Sequence, residues 1–339
     1  MIQVGIAGVS GYTGNTLLKL LLHHSQVNIK YLAAERSAGL NILELDPSFI
    51  NFPQLPTICK LDEVDFETLD CFFTATPNGI SSSIAQKALN ANCKLIDLAA
   101  DFRLKNKNIF EDWYSPLSSP EESLLAQAVY GLTEYNRKEI KQAKLLANPG
   151  CYPTATSLGV IPLFKERLAS EELCIIDAKS GATGAGKSLS EGLLFAEIEG
   201  SFKAYKVDKH RHTPEIEQNL DLFAQTKMHI RFTPHLLPMK RGILATCYLK
   251  PVSKITNKDL QECFEENYRN ETFVKVVNRP PETKDTYGSN RCHIWSHYDD
   301  RSDMIIVLSA IDNLMKGAAG QAVQNFNLMF GFEESLALS

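Results

Sequence analysis

No CxxC pair occurs in the 339 residues, no basic run is interleaved with aromatics, and no uninterrupted apolar run exceeds five residues. Each absence excludes something. A membrane helix needs roughly 20 consecutive apolar residues, so no bilayer-spanning segment or membrane partner is expected. A net charge of −5, with only short basic clusters such as "KVDKHRH", argues against a nucleic-acid-binding face. The eight cysteines are scattered at 59, 71, 93, 151, 174, 247, 263 and 292. Neither a charged n-region nor a cleavable apolar h-region accompanies the opening strand "MIQVGIAG", so we expect reduced thiols and a cytoplasmic setting, most cysteines serving as small core residues. Internal repeats and low-complexity segments are missing as well.

What is present is the composition of a folded protein. The chain is 44% apolar and 22% charged, and its length suggests two domains, each able to bury its own core. The first third alternates strand and helix: "IQVGIAG", "YTGNTLLKLLLHH", "NIKYLAA", "DCFFTATP", "ISSSIAQKALNAN", "KLIDLAAD" and "AKLLANPG". Such alternation predicts βαβ units and a mostly parallel sheet with helices on both faces. The polar, proline-bearing "RLKNKNIFEDWYSPLSSPEESL" reads as a long surface excursion. Near residue 149 the texture shifts to α+β, with alternating strands typical of an antiparallel sheet. The end, "NLMKGAAGQAVQNFNLMFGF", reads as one more helix, able to return to the first domain.

Chemistry concentrates at a few stretches. In "LLANPGCYPTATSLG" a cysteine, Cys151, stands between Pro149-Gly150 and Tyr152-Pro153, where an apolar strand stops and a helix starts. Proline and glycine suit such a start, and a helix N-terminus favours a thiolate. Its natural partner is His212 in "HRHTPEIEQ", held just before a helix for which Thr213 makes a good N-cap, Pro214 a good N1, and Glu215 and Glu217 good first-turn residues. HxH can also be half of a metal site, but no further ligand stands at suitable spacing, so no metal is expected.

The turn "GIAGVSGYTG" offers Gly8, Ser10, Gly11, Tyr12, Thr13 and Gly14 as cofactor contacts. Its spacing is GxxGxxG, not GxGxxG, yet it ends a strand and opens a helix as a pyrophosphate-binding turn should; a tight turn without ligand is the alternative. At the end of the second strand Glu35 would favour NAD, whereas Arg36 and Ser37 would hold the 2′-phosphate of NADP, the choice preferred here. Thr76, Gly181, Gly184 and Asn313 complete the candidate cofactor set. "GATGAGKS" formally fits a phosphate-binding loop, but it lies in the second domain without a Walker-B-like partner, so it reads as a glycine-rich loop over the nicotinamide end. In "LAADFRL", Arg103 lies just past a strand's carboxyl end, where it can grip a phosphate or carboxylate or make a surface salt bridge.

Together "GVSGYTG", "DLAADFRL", "NPGCYPT", "SGATGAGK", "YKVDKHRHTPEI", "PMKRGI" and "DNLMKGAAGQAVQNFNLM" resemble, in order and nearly end to end, the N-acetyl-γ-glutamyl-phosphate reductases of arginine biosynthesis. Aspartate-semialdehyde dehydrogenases share the Cys/His logic with a different cysteine motif. Two departures stand out: Asn78 where the family often has histidine, and Ala99 where it often has serine. The resemblance implies a Rossmann-type NADP-binding domain, residues 1–148 with 317–339, and an α+β catalytic and oligomerisation domain, residues 149–316. It also implies NADPH, an acyl-phosphate substrate, a homo-oligomer (dimer or tetramer), and attack by Cys151 to give a thioester, with His212 handling protons. Substrate candidates are Arg103 for phosphate, then Asn148, Lys206, His210 and Arg241. Rival readings are reduction of a related acyl phosphate, a thiol hydrolase using Cys151 and His212, and a non-catalytic nucleotide sensor.

Overall fold

The structure, a computed structural model, describes residues 1–114 and 119–338. It divides into two compact units, Met1–Pro149 with Ala318–Ser339, and Gly150–Gly317.

In the first unit, six parallel strands form one sheet: β1 (Ile2–Ala7), β2 (Val27–Ala33), β3 (Cys71–Thr74), β4 (Lys94–Asp97), β5 (Val129–Tyr130) and β6 (Leu145–Ala147), in the order β2-β1-β3-β4-β6-β5. Strands covered on both faces read as continuous apolar runs, as the wholly buried Cys71–Thr74 does. The chain passes from β1 to β2 on one side and later to β3 on the other. The carboxyl ends of β1 and β3 therefore flank a topological switch point, where such sheets bind ligands. The helix Tyr12–Leu22 buries Gly14, Leu17, Leu18 and Leu21, a helical stripe against the sheet. The helix Gly320–Met329 is buried throughout; its Asn325 Nδ2 donates to Gly131 O (2.8 Å) and Asn148 Oδ1 (3.1 Å).

Two expectations change here. The polar excursion contains the helices Lys107–Tyr114 and Glu122–Gln127, while its residues 115–118 lie outside the described residues. Phe110 explains the first helix: it is fully buried and stacks on Tyr114, with centroids 5.0 Å apart. The helix Thr133–Gln142 has no counterpart in the sequence expectations. It buries only Thr133 and Ile140 and kinks at Asn136, so it carries almost no apolar periodicity.

In the second unit, a seven-stranded sheet comprises β7 (Ala169–Gly181), β8 (Lys203–Ala204), β9 (Arg231–Leu237), β10 (Ile243–Pro251), β11 (Val274–Val276), β12 (Cys292–Asp299) and β13 (Met304–Ile311), ordered β11-β12-β13-β10-β7-β9-β8. It is mixed, not purely antiparallel: β7 with β9 and β11 with β12 run parallel. The helix Cys151–Lys165 is buried at every residue from 152 to 164, packing as a core element whose small residues meet β13. The chain after β13 does not enter a helix directly. Met315–Ala319 forms a π-turn, in which Gly317 N–H donates to Asp312 O five residues back (3.0 Å). The Asp312 carboxylate bends this turn by accepting from Leu314 N–H at 2.8 Å and Met315 N–H at 3.2 Å. Among the described residues no helix is long and apolar enough to cross a membrane.

Candidate active site

The glycine turn of the first unit is built for close backbone approach. Gly8 has φ +82, and a Cβ there would lie 2.2 Å from Ala75 O; at Gly14 it would lie 2.3 Å from Gly8 O. Gly11 occupies the N-cap of the helix Tyr12–Leu22 and contributes no side-chain cap. The N-cap residue therefore offers the first-turn N–H groups no side-chain oxygen of its own, as suits an anion cradle. One residue beyond Ala75, the Thr76 hydroxyl is buried with no protein hydrogen-bond partner. The cradle and this orphaned hydroxyl both lie at the switch point and fit a dinucleotide. After β2, the turn Glu35–Ser37 exposes Arg36 and buries Ser37, while Glu35 Oε1 accepts from Leu61 N–H at 3.2 Å. Glu35 is exposed like Arg36, but its carboxylate is engaged by Leu61 N–H, so Arg36 is the exposed cation of this turn.

Arg103 is buried, which overturns the surface salt bridge. Its Nε donates to Asn148 O (2.8 Å) and its Nη2 to Leu98 O (2.9 Å). Its charge also favours ionisation of two buried carboxylates, Asp97 and Asp101. Burial, then repulsion from Asp101, pushes the Asp97 carboxyl up to about 6, against hydrogen bonds from Ser81 and Thr74 and the pull of Arg103. Asn148 is fully buried: its N–H donates to Asp97 O (2.8 Å), its Nδ2 to Ala318 O (3.0 Å), and its Oδ1 accepts from Asn325. Both residues therefore fasten the stretch that leads to Cys151. At the two departures, Asn78 is half-buried and Ala99 N–H donates to Asp97 Oδ1 (3.0 Å).

In the second unit Cys151 is the first residue of its helix and only half-buried, whereas six of the other cysteines are buried. Gly150 takes the N-cap with extended backbone, φ −68 and ψ 155, and Pro153 sits in the first turn, where a missing N–H costs no helical bond. Gly150 N–H donates to Glu215 Oε1 at 2.8 Å. Glu215 belongs to the first turn of the helix Thr213–Ala224, so this bond ties the start of that helix to the residue before the nucleophile. The cap of the helix lies one residue earlier than expected. His212 is its N-cap, with Thr213 at N1 and Pro214 at N2, because no side-chain oxygen caps the turn.

His212 N–H donates to His210 Nδ1 (3.2 Å), which leaves the neutral His210 ring its proton on Nε2. Burial first, then the charges of Arg211 and Lys206, drives His210 down to about 3, so it stays neutral. The Tyr152 ring lies 5.9 Å from that of His212 and 5.7 Å from that of His210, and the two histidine rings are 5.0 Å apart. Tyr205, which sequence reasoning missed, donates to Tyr152 Oη (3.3 Å); burial pushes its phenol up to about 12, and the nearby Cys151 charge adds to that. The sequence marks Glu215 as a first-turn residue, while its bond to Gly150 joins positions 65 apart and leaves no local signal.

The remaining candidates divide. Lys206 is exposed with φ +45, an uncommon left-handed backbone for lysine, and its charge reaches His210. Arg241 is committed to Asp312 through Nε (3.1 Å) and Nη2 (2.9 Å) and lies over the Tyr287 ring. Asn313 Nδ2 donates to Thr183 Oγ1 (3.0 Å) and its Oδ1 accepts from Gly242 N–H (2.8 Å), bracing the loop that Gly181 and Gly184 begin. No long helix follows Gly186-Lys187-Ser188, only a short turn and the four-residue helix Phe195–Ile198, so the loop lacks the helix N-terminus of a phosphate-binding loop.

Comparison with known proteins matches residues 3–143 to the semialdehyde dehydrogenase NAD binding domain and residues 151–313 to the semialdehyde dehydrogenase dimerisation domain. Among curated relatives, the N-acetyl-gamma-glutamyl-phosphate reductase of Nitrosospira multiformis is 46% identical over 342 residues, and that of Ectopseudomonas mendocina 47% over 343. Each alignment covers 100% of this chain and 98% of the relative. The fold is also that of aspartate semialdehyde dehydrogenase II from Vibrio cholerae (TM-score 0.74, 15% identity, 98% of both chains). A further likeness is the aspartate semialdehyde dehydrogenase solved with NADP from Candida albicans (TM-score 0.72, 14% identity, 97% of this chain and 98% of that one).

Proposed function

The chain belongs to the N-acetyl-γ-glutamyl-phosphate reductases of the semialdehyde dehydrogenase family, and from that premise we propose that it reduces N-acetyl-γ-glutamyl phosphate to N-acetylglutamate 5-semialdehyde with NADPH, releasing phosphate in arginine biosynthesis. The observation that carries the chemistry is the bond from Gly150 N–H to Glu215, which ties the start of the Cys151 helix to the start of the His212 helix.

His212 takes the thiol proton, and the Cys151 thiolate attacks the acyl carbon. The carbon–oxygen bond to phosphate breaks, phosphate departs with that proton, and a thioester remains on Cys151. First-turn N–H groups at the start of the Cys151 helix stabilise the oxyanion. The chemistry the nicotinamide cofactor supplies when bound is a hydride for the thioester carbon. The thiohemiacetal alkoxide then collapses, expelling the aldehyde and returning the thiolate, which a solvent proton neutralises through His212. Neutral His210 orients His212 through its backbone N–H. Lys206 and Arg241 are the substrate cations of the second unit, and Arg103 and Asn148 the substrate candidates of the first. Gly8, Ser10, Gly11, Tyr12, Thr13, Gly14, Arg36, Ser37 and Thr76 hold the cofactor in the first unit, and Gly181, Gly184 and Asn313 are the cofactor candidates of the second. We place the enzyme in the cytoplasm as a homo-oligomer, in keeping with the dimerisation-domain match.

The test is the reverse reaction: phosphate-dependent reduction of NADP⁺ by N-acetylglutamate semialdehyde, with wild type and Cys151→Ala. Turnover by wild type alone supports the reading. A wild type that is idle on this aldehyde but oxidises aspartate semialdehyde overturns the substrate assignment.

A further inference from the structure

The motif "DNLMKGAAG" is not explained by cofactor or substrate contacts alone, and its backbone is unusual. Asp312 is fully buried, and its carboxylate collects Arg241 Nε and Nη2, the N–H groups of Leu314 and Met315, and Gly288 N–H at 2.8 Å. Its carbonyl closes the π-turn onto Gly317 N–H at 3.0 Å. Single π-turns of this kind are rare and frequently found at functional sites. The turn delivers Gly317 against the nucleophile. A Cβ at Gly317 would lie 2.8 Å from Cys151 Cβ and 3.2 Å from both Cys151 Cα and Ile311 Cδ1. A methyl group cannot enter at 2.8 Å from another carbon without moving one of the two, and the neighbour here is the root of the reacting side chain.

We propose that Gly317, held by the Asp312 turn, is the positioning residue that sets where Cys151 stands at the start of its helix, and that Arg241 is coupled to the nucleophile through Asp312. The inference rests on Cys151 being the nucleophile of the proposed function. It accounts for glycine at this position, for the π-turn, and for the commitment of an arginine beside the site to a buried carboxylate. A misplacement of the order of 1 Å costs about 100-fold in rate when geometry is what the residue supplies.

The experiment is Gly317→Ala, with Gly159→Ala as control. The control lies in the same helix as Cys151, where an added Cβ meets its nearest neighbours at 3.4 and 3.5 Å, ordinary contact. For Gly317→Ala we expect kcat to fall about 100-fold with KM changed less than about threefold. The midpoint of the pH profile for Cys151 alkylation by iodoacetamide, followed by mass spectrometry on that peptide, should move upward. Gly159→Ala should keep wild-type kcat. A folded Gly317→Ala protein with wild-type kcat and an unchanged alkylation profile overturns the inference. If Gly317→Ala is too unstable to assay, thermal unfolding of the single and double variants with Cys151→Gly decides. Removal of the facing Cβ should reduce the loss in Tm caused by Gly317→Ala, and an equal loss in both backgrounds overturns the inference. Alkylation and unfolding need no substrate, so failure of the proposed function and failure of this inference register separately.

Discussion

Two strand-to-helix turns in this chain start from nearly the same backbone and serve opposite ends. At Gly11 and at Gly150 a glycine occupies the N-cap with extended geometry, φ −78, ψ 167 and φ −68, ψ 155, and neither helix gains a side-chain cap. In both, the N-cap residue has no side chain to cap the first turn, and the positive end of a helix is presented there. The first helix is amphipathic and its turn is hollowed by glycines, so the positive end is offered to an anion from outside. The second is buried almost all round and carries Cys151 as its first residue, so the positive end is offered to an anion of the chain itself. The same local electrostatics thus makes a cradle or a nucleophile, depending on whether glycines around the turn leave room for an outside anion or a reactive side chain stands at the first helical position.

The comparison breaks most sharply if one turn is disabled and the other is read. Cys151→Ala should lower turnover by about 10⁴-fold or more, as loss of a covalent nucleophile does. NADPH binding, followed by fluorescence titration, should stay within about twofold of wild type. A large loss of cofactor affinity in this variant would show that the two turns are not separate devices. Next comes Gly8→Ala, which meets both a left-handed backbone, costing about 1–3 kcal/mol, and a backbone oxygen at 2.2 Å. We expect the cofactor Kd to rise about 100-fold, with Cys151 alkylated at the wild-type rate without cofactor.

How far these devices were legible depends on the distance over which each acts. The alternation of apolar runs and the glycine turn disclosed the parallel sheet, because strand, turn and helix are consecutive and their period is local. The helix start at Cys151 was legible for the same reason, from glycine and proline within two residues of it. The bond from Gly150 to Glu215 spans 65 positions and the pair Arg241–Asp312 spans 71, and neither leaves a local pattern. Thr213 looked like an N-cap because threonine is a good one, but no side-chain oxygen caps this helix and His212 takes the position. The helix Thr133–Gln142 escaped because only one apolar residue, Ile140, is buried on it.

Smaller substitutions sharpen the cradle side. Arg36→Ser removes the exposed cation after β2, while Glu35 remains drawn to Leu61. The preference for NADPH over NADH in kcat/KM should fall about 10- to 100-fold, the range of a charge-assisted contact. An unchanged preference would remove Arg36 from the 2′-phosphate site. Thr76→Val deletes a buried hydroxyl that no protein group satisfies. Stability without cofactor should hold or rise slightly, while NADPH affinity should drop about fivefold, the ~1 kcal/mol of one neutral hydrogen bond. A loss of stability without loss of affinity would assign the hydroxyl to the fold.

The gentlest effect separates the units by pH. Asp97, in the first unit, has its carboxyl raised from 3.8 to about 6, so it binds a proton more readily folded than unfolded. Its contribution to stability is fully present below about pH 4 and is lost as pH rises through about 6. His210, in the second unit, is lowered from 6.5 to about 3 and behaves in the opposite sense. Its contribution is fully present above about pH 6.5 and is lost as pH falls toward about 3. Between about pH 4 and pH 6 the two therefore tilt stability in opposite directions, and each masks the other in the wild type. Urea unfolding across that window should expose them: Asp97→Asn should make stability climb more steeply with pH than wild type, and His210→Gln less steeply. If Asp97→Asn leaves the slope unchanged, the carboxyl stays ionised despite its burial, and Arg103 with the Ser81 and Thr74 hydroxyls outweighs the cost of enclosing it.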